Sequence, residues 1–255
     1  MISKNKVKFL RCLTNKKYRL KNKKVFLEGR RLVDEALNSL VNFETIWLTK
    51  SAFENSMNAK LINKIRTKKI LLDEISNIDL HDLSDTENSQ GIIAEIDINK
   101  FITSSLDDIA NDNLLILDGI SDPGNLGTIF RTAAWYNIQS IILTSDCVDP
   151  FNLKCLRSGV GAHFYFQNIV NAKREDVIKF LGNNNYDIYC ADLNGIILSD
   201  VKFKNKWAVI LGSEAHGLNP DFNIYNKVTI KKHGNIESLN ASVACGIILD
   251  KFVSI

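Results

Sequence analysis

With 255 residues, 45% of them hydrophobic, and a net charge of +3, the chain is long enough for two modest domains with buried cores. Its five cysteines (Cys12, Cys147, Cys155, Cys190, Cys245) form no CxxC pair, and its four histidines (His81, His163, His216, His233) lie far apart, which argues against a disulfide scaffold and against a metal centre. No apolar run reaches spanning length and the N-terminus lacks the apolar core of a signal peptide, so a soluble cytoplasmic protein with no membrane partner is expected.

The charge is unevenly spread. Residues 1–24 carry ten of the 32 Lys and Arg and no acid, which leaves 22 basic against 29 acidic residues in the remainder. A cluster of this kind suits a polyanion, from whose phosphates it releases counterions. A frayed, solvated tail is the plainer alternative. In "NKVKFLRCLTNKKYRL", however, Val7, Leu10, Leu13 and Leu20 recur at near-helical spacing with Phe9 and Tyr18 interleaved. The favoured reading is a docked basic helix for nucleic acid.

From Val25 to Ile98, "KVFLEG" and "ETIWLT" read as strands on either side of an amphipathic helix, "GRRLVDEALNS". "KKILLD" and "GIIAEID" are further strand candidates, separated by the polar "HDLSDTENSQ". The pattern predicts a small N-terminal α/β domain over residues 1–98. Residues 99–112, "NKFITSSLDDIAND", lose periodicity and gather Ser, Asp and Asn. They read as a linker to a second domain, 113–255.

In that second domain "NLLILD" is a near-continuous apolar strand and "NLGTIFRTAAWY" a helix. "QSIILTSD" is strand-like, and "KCLRSGVGA" a helix ending in glycine. "YDIYCAD", "KWAVILGSE" and "KVTI" follow as strands, and a helix through "SLNASVACGIILDKF" ends the pattern. Apolar strands punctuated by helices predict an α/β fold with a mostly parallel sheet covered on both faces. Ligands of such sheets bind beyond the carboxyl ends of the strands.

Three loops fall there. In "LDGISDPGNLGTIFRTAA" a buried strand ends at Leu117 and Pro123-Gly124 sets a tight bend. Asn125 is placed to cap the next helix, and Arg131 follows six residues on. Gly124 and Gly127 would let a partner approach the backbone, although a simple strand–turn–helix joint with a surface arginine accounts for the same residues. "VILGSEAHGL" is a glycine-flanked polar turn after a strand. With no GK[ST] and no GxGxxG in the chain, phosphate cradling of the familiar kinds is disfavoured. "IKKHGNIESLNASVACGIILD" opens a helix near Ser238, with Leu239, Val243 and Ile247 facing one way. Its small residues suit a tightly packed helix, yet Asn240 and Ser242 need hydrogen-bond partners if buried.

Taken together, in order and spacing, the three segments resemble the SpoU (TrmH) branch of the SPOUT methyltransferases, which 2′-O-methylate ribose in structured RNA. The first is similar to that family's DPGNxGxxxRTA motif, "LGSEAHGL" to its second, and "SLNASVA" to the SLNxSxA core of its third. The N-terminal "KKYRLKNKKVFLEGRRLVDEAL" more weakly resembles the RNA-binding domain of the rRNA-type members, which favours rRNA over tRNA as substrate. The resemblance implies a deep trefoil knot, a homodimer and S-adenosylmethionine as cofactor. By matching positions it implies a cofactor pocket at Gly212, Ile230 and Leu239, with Leu211 and Gly217 beside them. It also implies an active-site set of Asn125, Arg131, Glu214, Ser238 and Asn240. Arg131 is that family's proposed base, but a guanidinium scarcely deprotonates. Clamping a phosphate and stabilising the forming alkoxide is the role its chemistry supports, and the proton acceptor stays open. Three departures stand out: "IKKHG" in place of Ile-Pro-Met-x-Gly, Ala215 where glycine is common, and Asn137 where the first motif often ends in glycine. They bear on cofactor affinity and loop order, and they motivate the competing reading of a catalytically inactive RNA-binding or ribosome-assembly factor on the same fold.

Overall fold

A computed structural model describes residues 2–84, 89–102, 104–109, 112–202, 206–214 and 216–254. Two sheets organise them. The first comprises β1 (Lys24–Glu28), β2 (Phe43–Leu48), β3 (Leu72–Glu74) and β4 (Ile92–Asp97), in the order β1-β4-β2-β3. Its β2–β3 pairing is parallel and the other two are antiparallel. Around it lie α1 (Lys4–Cys12), α2 (Lys16–Asn22), α3 (Arg30–Asn38), α4 (Lys50–Glu54), α5 (Ala59–Thr67) and α6 (Asn77–Leu83). Period-two alternation sorts the strands between two layers. Phe26, Trp47 and Ile93 join Leu10, Leu13 and Leu80 on the α1/α6 side. Val25, Leu27, Ile46 and Ile92 join Val33 and Ile65 on the α3/α5 side.

The basic N-terminus is docked. It forms two helices rather than one, because Ser3 and Asn15 each cap a separate start. Val7, Leu10 and Leu13 are buried, whereas Leu20 and Tyr18 are exposed. Lys6 and Lys24 (3.3 Å) both pair with the fully buried Glu95, and buried Arg19 donates to the Leu13 and Thr14 carbonyls at 2.7 and 2.6 Å.

The second sheet comprises β5 (Leu114–Asp118), β6 (Ser140–Thr144), β7 (Asn168–Ala172), β8 (Asp187–Ile197), β9 (Trp207–Gly212) and β10 (Asn226–Thr229). Its order is β10-β8-β9-β5-β6-β7, and every pairing is parallel. Between the sheets runs α7 (Asn99–Ile102); α8 (Pro123–Trp135), α9 (Leu153–Gly159), α10 (Arg174–Asn183) and α11 (Ala241–Val253) cover the second sheet. Leu115, Leu117, Val209 and Leu211 pack with Ile129, Phe130, Cys245 and Leu249. The opposite face, Leu114, Ile116 and Ile210, packs with Val177 and Leu181 of α10.

Several sequence expectations need correction. "KKILLD" yields only the short β3, because Lys69 turns the chain at φ 55° as it leaves α5. The segment "HDLSDTENSQ" begins inside α6, and its Asp85–Asn88 lie outside the described residues. β7 and α10 answer no predicted element; "NIVNA" alternates too little to register as a strand. The expected linker is packed: Phe101 is buried 5.9 Å from the Phe151 ring and 6.2 Å from that of Phe164, though Thr103, Ala110 and Asn111 lie outside the described residues.

Residues 149–165 form the seat on which the two halves meet. Arg19 pairs with Asp149, Glu28 with Arg157 (3.5 Å), and Tyr165 donates to Glu35 at 2.5 Å. At its centre His163 is fully buried, 4.7 Å from the Phe130 ring and 3.5 Å from Cys155 Sγ. Burial pushes its pKa down from 6.5 to about 3. The unfolded chain therefore takes up this proton first, so the stability associated with neutral His163 is full above pH ~6.5 and is lost as pH falls below it. The slope approaches about 1.4 kcal/mol per pH unit. His163→Phe is expected to flatten stability between about pH 5 and pH 6.5, above the range where most carboxylates titrate. Denaturant unfolding across that window is the check, and an unchanged slope would exclude His163 as its source.

Candidate active site

The loops that follow β5, β9 and β10 converge at the carboxyl end of the second sheet. β5 ends at Asp118, and the chain turns through Gly119 (φ 66°) into α8. The cap of α8 is Asp122 rather than Asn125: its side chain accepts the Asn125 N–H at 2.8 Å, and Pro123 takes the first helical position. That hydrogen bond holds the Asp122 carboxyl below the usual carboxylate range. Asn125 thus lies inside the first turn, with its side-chain amide free to reach across the site. Gly127 serves a different end from the one expected of it. A Cβ there would lie 2.4 Å from the Cys155 carbonyl and 2.7 Å from the Gly159 nitrogen, so its close approach is to α9, not to a ligand.

After β9 the chain makes a tight turn in which the Gly217 N–H donates to the Ser213 carbonyl at 2.9 Å. Gly212 sits against this turn: a Cβ would meet the carbonyl carbon and oxygen of Gly217 at 2.4 Å. Glu214 projects from the turn, and Ala215 lies outside the described residues. The third loop runs from Ile230 to α11, which begins at Ala241 with Asn240 as its cap. Ser238 and Leu239 therefore precede the helix, because the Asn240 side chain accepts the Ser242 N–H at 2.9 Å and sets the start there.

These three stretches are joined by one hydrogen-bonded cluster. Asn125 Nδ2 donates to Glu214 Oε1. Asn240 Nδ2 donates to Asn125 Oδ1 at 3.0 Å and lies 3.4 Å from Glu214 Oε1. The backbone N–H of Ala241 donates to the same Glu214 oxygen at 3.2 Å. Arg131 and Ser238 stand apart. Both are exposed, and neither side chain makes a hydrogen bond or ion pair among the described residues. Arg131 is six residues beyond Asn125 on α8, about 240° further round the helix.

Residues 231–240 are exposed throughout, and among the described residues none of their backbone N–H groups has a hydrogen-bond partner. Ile230 packs partly against the core, while Ile236 and Leu239 are exposed. Leu211 is buried, and Gly217 is exposed at φ 65°. Main-chain donors beside apolar side chains suit a ligand with a flat heteroaromatic edge. The structure adds residues that the sequence reading passed over. Leu193 and Ile196, exposed at the end of β8, flank β10, and Thr229 Oγ1 donates to the Leu193 carbonyl at 3.2 Å. The glycine in "ADLNG" was the available signal. A cavity of about 410 Å³ lies far from these loops, bordered by Thr49, Asn55, Asn77 and His81. Among the described residues no three His, Cys, Asp or Glu are grouped to hold a metal ion.

Two family models match the chain. Residues 112–250 match the SpoU rRNA Methylase family and residues 4–94 an MRM3-like substrate binding domain. The chain is 30% identical to the 23S rRNA (guanosine(2553)-2′-O)-methyltransferase RlmP of Bacillus subtilis, over 96% of this chain and 94% of that protein. It is 31% identical to an uncharacterized tRNA/rRNA methyltransferase of Synechocystis, over 95% and 88% of the two chains. The solved structure of an AdoMet-bound rRNA methyltransferase from Sinorhizobium meliloti superposes with a TM-score of 0.82, at 28% identity and with 98% and 95% of the chains covered.

Proposed function

This chain belongs to the SpoU rRNA methylase family, and we propose that it methylates the 2′-hydroxyl of a ribose in rRNA with S-adenosylmethionine as donor. The observation that carries the reading is the meeting of Asn125, Glu214 and Asn240, one residue from each of three separated motifs, at the carboxyl end of a parallel sheet. The N-terminal match to a substrate binding domain and the rRNA named for the RlmP relative favour rRNA over tRNA.

The residues present fit S-adenosylmethionine. The unpaired amides of 231–240 offer donors for an adenine edge, with Ile230 and Leu239 as apolar flanks and Gly212 and Gly217 keeping the turn narrow. The cofactor supplies an activated methyl on a sulfonium, which a ribose oxygen can attack directly. The protein's own part is placement and charge. Asn125 and Asn240, fixed by Glu214, orient the sugar. Arg131, exposed on α8, clamps a phosphate and stabilises the developing alkoxide. Ser238, on the exposed approach to α11, completes the set.

RNA would be gathered by the outward face of α1 and α2, where Lys4, Lys8, Lys16, Lys17 and Lys21 are exposed. A second copy of the chain is the proposed partner on the other side. α8 and α11 lie side by side, joined by the 3.0 Å Tyr136–Asp250 hydrogen bond. Their outer faces expose Trp135 (84%), Val243 (50%) and Ile247 (40%), an apolar strip that a homodimer would cover. The trefoil knot that the resemblance implies belongs to the same proposal.

Methyl transfer from labelled S-adenosylmethionine to rRNA fragments, with calorimetric titration of the cofactor, tests the central reading. Arg131→Ala is expected to lower transfer by roughly 10²- to 10³-fold with cofactor affinity and melting temperature retained. Transfer at the parental rate in that variant would refute the assignment of Arg131. Saturable cofactor binding separates an enzyme from the inactive RNA-binding factor.

Replacing Lys16, Lys17 and Lys21 with Gln should make the salt dependence of RNA binding shallower, by about 0.7–0.9 in log–log slope for each phosphate that is no longer neutralised. Truncating residues 1–24 is the poorer experiment, since it would also uncover Phe26 and Trp47. An unchanged slope would move the RNA off this face. Ile247→Glu should convert a dimer to monomers in sedimentation, whereas a parent chain that sediments as a monomer would dispose of the dimer.

A further inference from the structure

A second network, built on the buried Asp118 and Thr144, lies on the far side of the catalytic turn. Asp118, the last residue of β5, is 2% exposed. Its Oδ1 accepts from Arg174 Nε at 2.7 Å, and its Oδ2 accepts the backbone N–H of Asn219 at 2.8 Å. Arg174 opens α10 and also pairs with Asp146. Asp146 accepts from Thr144 Oγ1 at 2.6 Å, and the same hydroxyl accepts the Gly119 N–H at 3.0 Å. None of these groups belongs to the proposed catalytic set.

The turn that carries Glu214 is therefore held at two points. Its front is fixed where Glu214 meets Asn125, Asn240 and Ala241. Its exit is fixed where Asn219 meets Asp118. Between them the turn is stiffened by hydrogen bonds from the His216 and Gly217 amides to Ser213, at 3.2 and 2.9 Å. An ion pair between a buried carboxylate and a partly exposed arginine adds little net stability once desolvation and solvent screening are counted, so stability alone is a weak account of Asp118 and Arg174. Their geometry explains more. A carboxylate offers acceptors in two directions, and here one direction is closed by a charged side chain while the other holds a loop.

We propose that Asp118 is a positioning residue for methyl transfer: charge-paired with Arg174, it anchors the Asn219 amide and so sets the reach of Glu214 toward Asn125 and Asn240. This rests on the methyltransferase reading above. Asp118 touches neither cofactor nor RNA, and acts through the turn alone.

The interaction can be broken at its far end without disturbing the buried pair. Asn219 has φ −62° and ψ 139°, values that proline adopts. Asn219→Pro removes the N–H and keeps Asp118–Arg174 intact. It also removes the Asn219 side chain, which accepts the Asp221 N–H at 3.0 Å. Asn219→Ala loses that side chain but keeps the N–H, and so serves as the control. Hydrogen exchange in the cofactor-free protein is the first readout. The amides of His216 and Gly217 should exchange faster in Asn219→Pro than in Asn219→Ala, with the amides of β5 and β9 unchanged. The second readout is single-turnover methyl transfer. Asn219→Pro should lose about tenfold to a hundredfold in rate, as expected for misplacement by about an ångström, while the KM for RNA stays near the parental value.

Equal exchange and equal rates in the Pro and Ala variants would overturn the proposal. A parent protein that transfers no methyl group would instead sink the functional reading, and the exchange measurement would still decide whether Asp118 anchors the turn.

Discussion

One carboxylate oxygen, Glu214 Oε1, accepts from three places in the chain at once: the side chains of Asn125 and Asn240 and the backbone of Ala241. The site exists only where those donors arrive together. Ala241 is the first residue of α11, so the carboxylate also faces the positive end of a thirteen-residue helix. Asn240 divides its side chain between two tasks. Its oxygen caps the helix at Ser242, and its amide nitrogen reaches Asn125. Aspartate would cap the helix equally well, but it has no N–H to offer Asn125. The same residue thus starts the helix and builds the site.

Sheet order alone does not bring the three loops together. β5 and β9 are neighbours, so the loops after them meet directly, but β8 and β9 both lie between β10 and β5. Asn240 reaches Asn125 because the chain after β10 returns across the sheet and lays α11 against α8, where Gly246 lies beside Thr132 and Asp250 accepts from Tyr136. α8 is in turn seated by α9, whose backbone presses on Gly127. The site is the outer end of a line of packing contacts that begins in the core. A substitution at Gly127 would shift Asn125 without touching any ligand.

Much of this was legible in the sequence, for identifiable reasons. β5, β6 and β9 are near-continuous apolar runs, which is how a strand buried on both faces reads. The three motifs located the loops, and Asn125, Glu214 and Asn240 are indeed brought into contact. What stayed hidden were choices between similar residues a few positions apart. Asp122 and Asn125 are both good caps, and Pro123 at the first helical position decided for Asp122. Arg131 follows Asn125 closely in sequence, yet it is exposed and its side chain makes no hydrogen bond or ion pair with the cluster among the described residues. Residues 99–112 look like a linker by composition, yet Phe101 is buried in the core and Ile102, Leu106 and Ile109 pack against core clusters, spaced too irregularly for a periodicity argument to register.

The basic N-terminus shows the same limit and bears on how RNA would meet the proposed site. A count of charge treats its ten cations alike, but the fold divides them by face. Lys6 and Lys24 neutralise the buried Glu95, and Arg19 is consumed by Asp149 and two backbone carbonyls. Of the cations left outside, Lys4 and Lys8 ride on α1, whose inner face of Val7 and Leu10 is part of the core, and Lys16, Lys17 and Lys21 on α2, which buried Arg19 holds in place. A domain on a loose tether would present RNA at an effective concentration set by tether length. Here the Glu28–Arg157 and Glu35–Tyr165 contacts join Arg19–Asp149 in fixing one half against the other. The ordering entropy is met when the protein folds rather than when RNA binds. Under the proposed function, an RNA lying on the basic face would meet the loops after β5, β9 and β10 at a separation set by packing, and selection among RNAs would fall to whether their shape spans that separation.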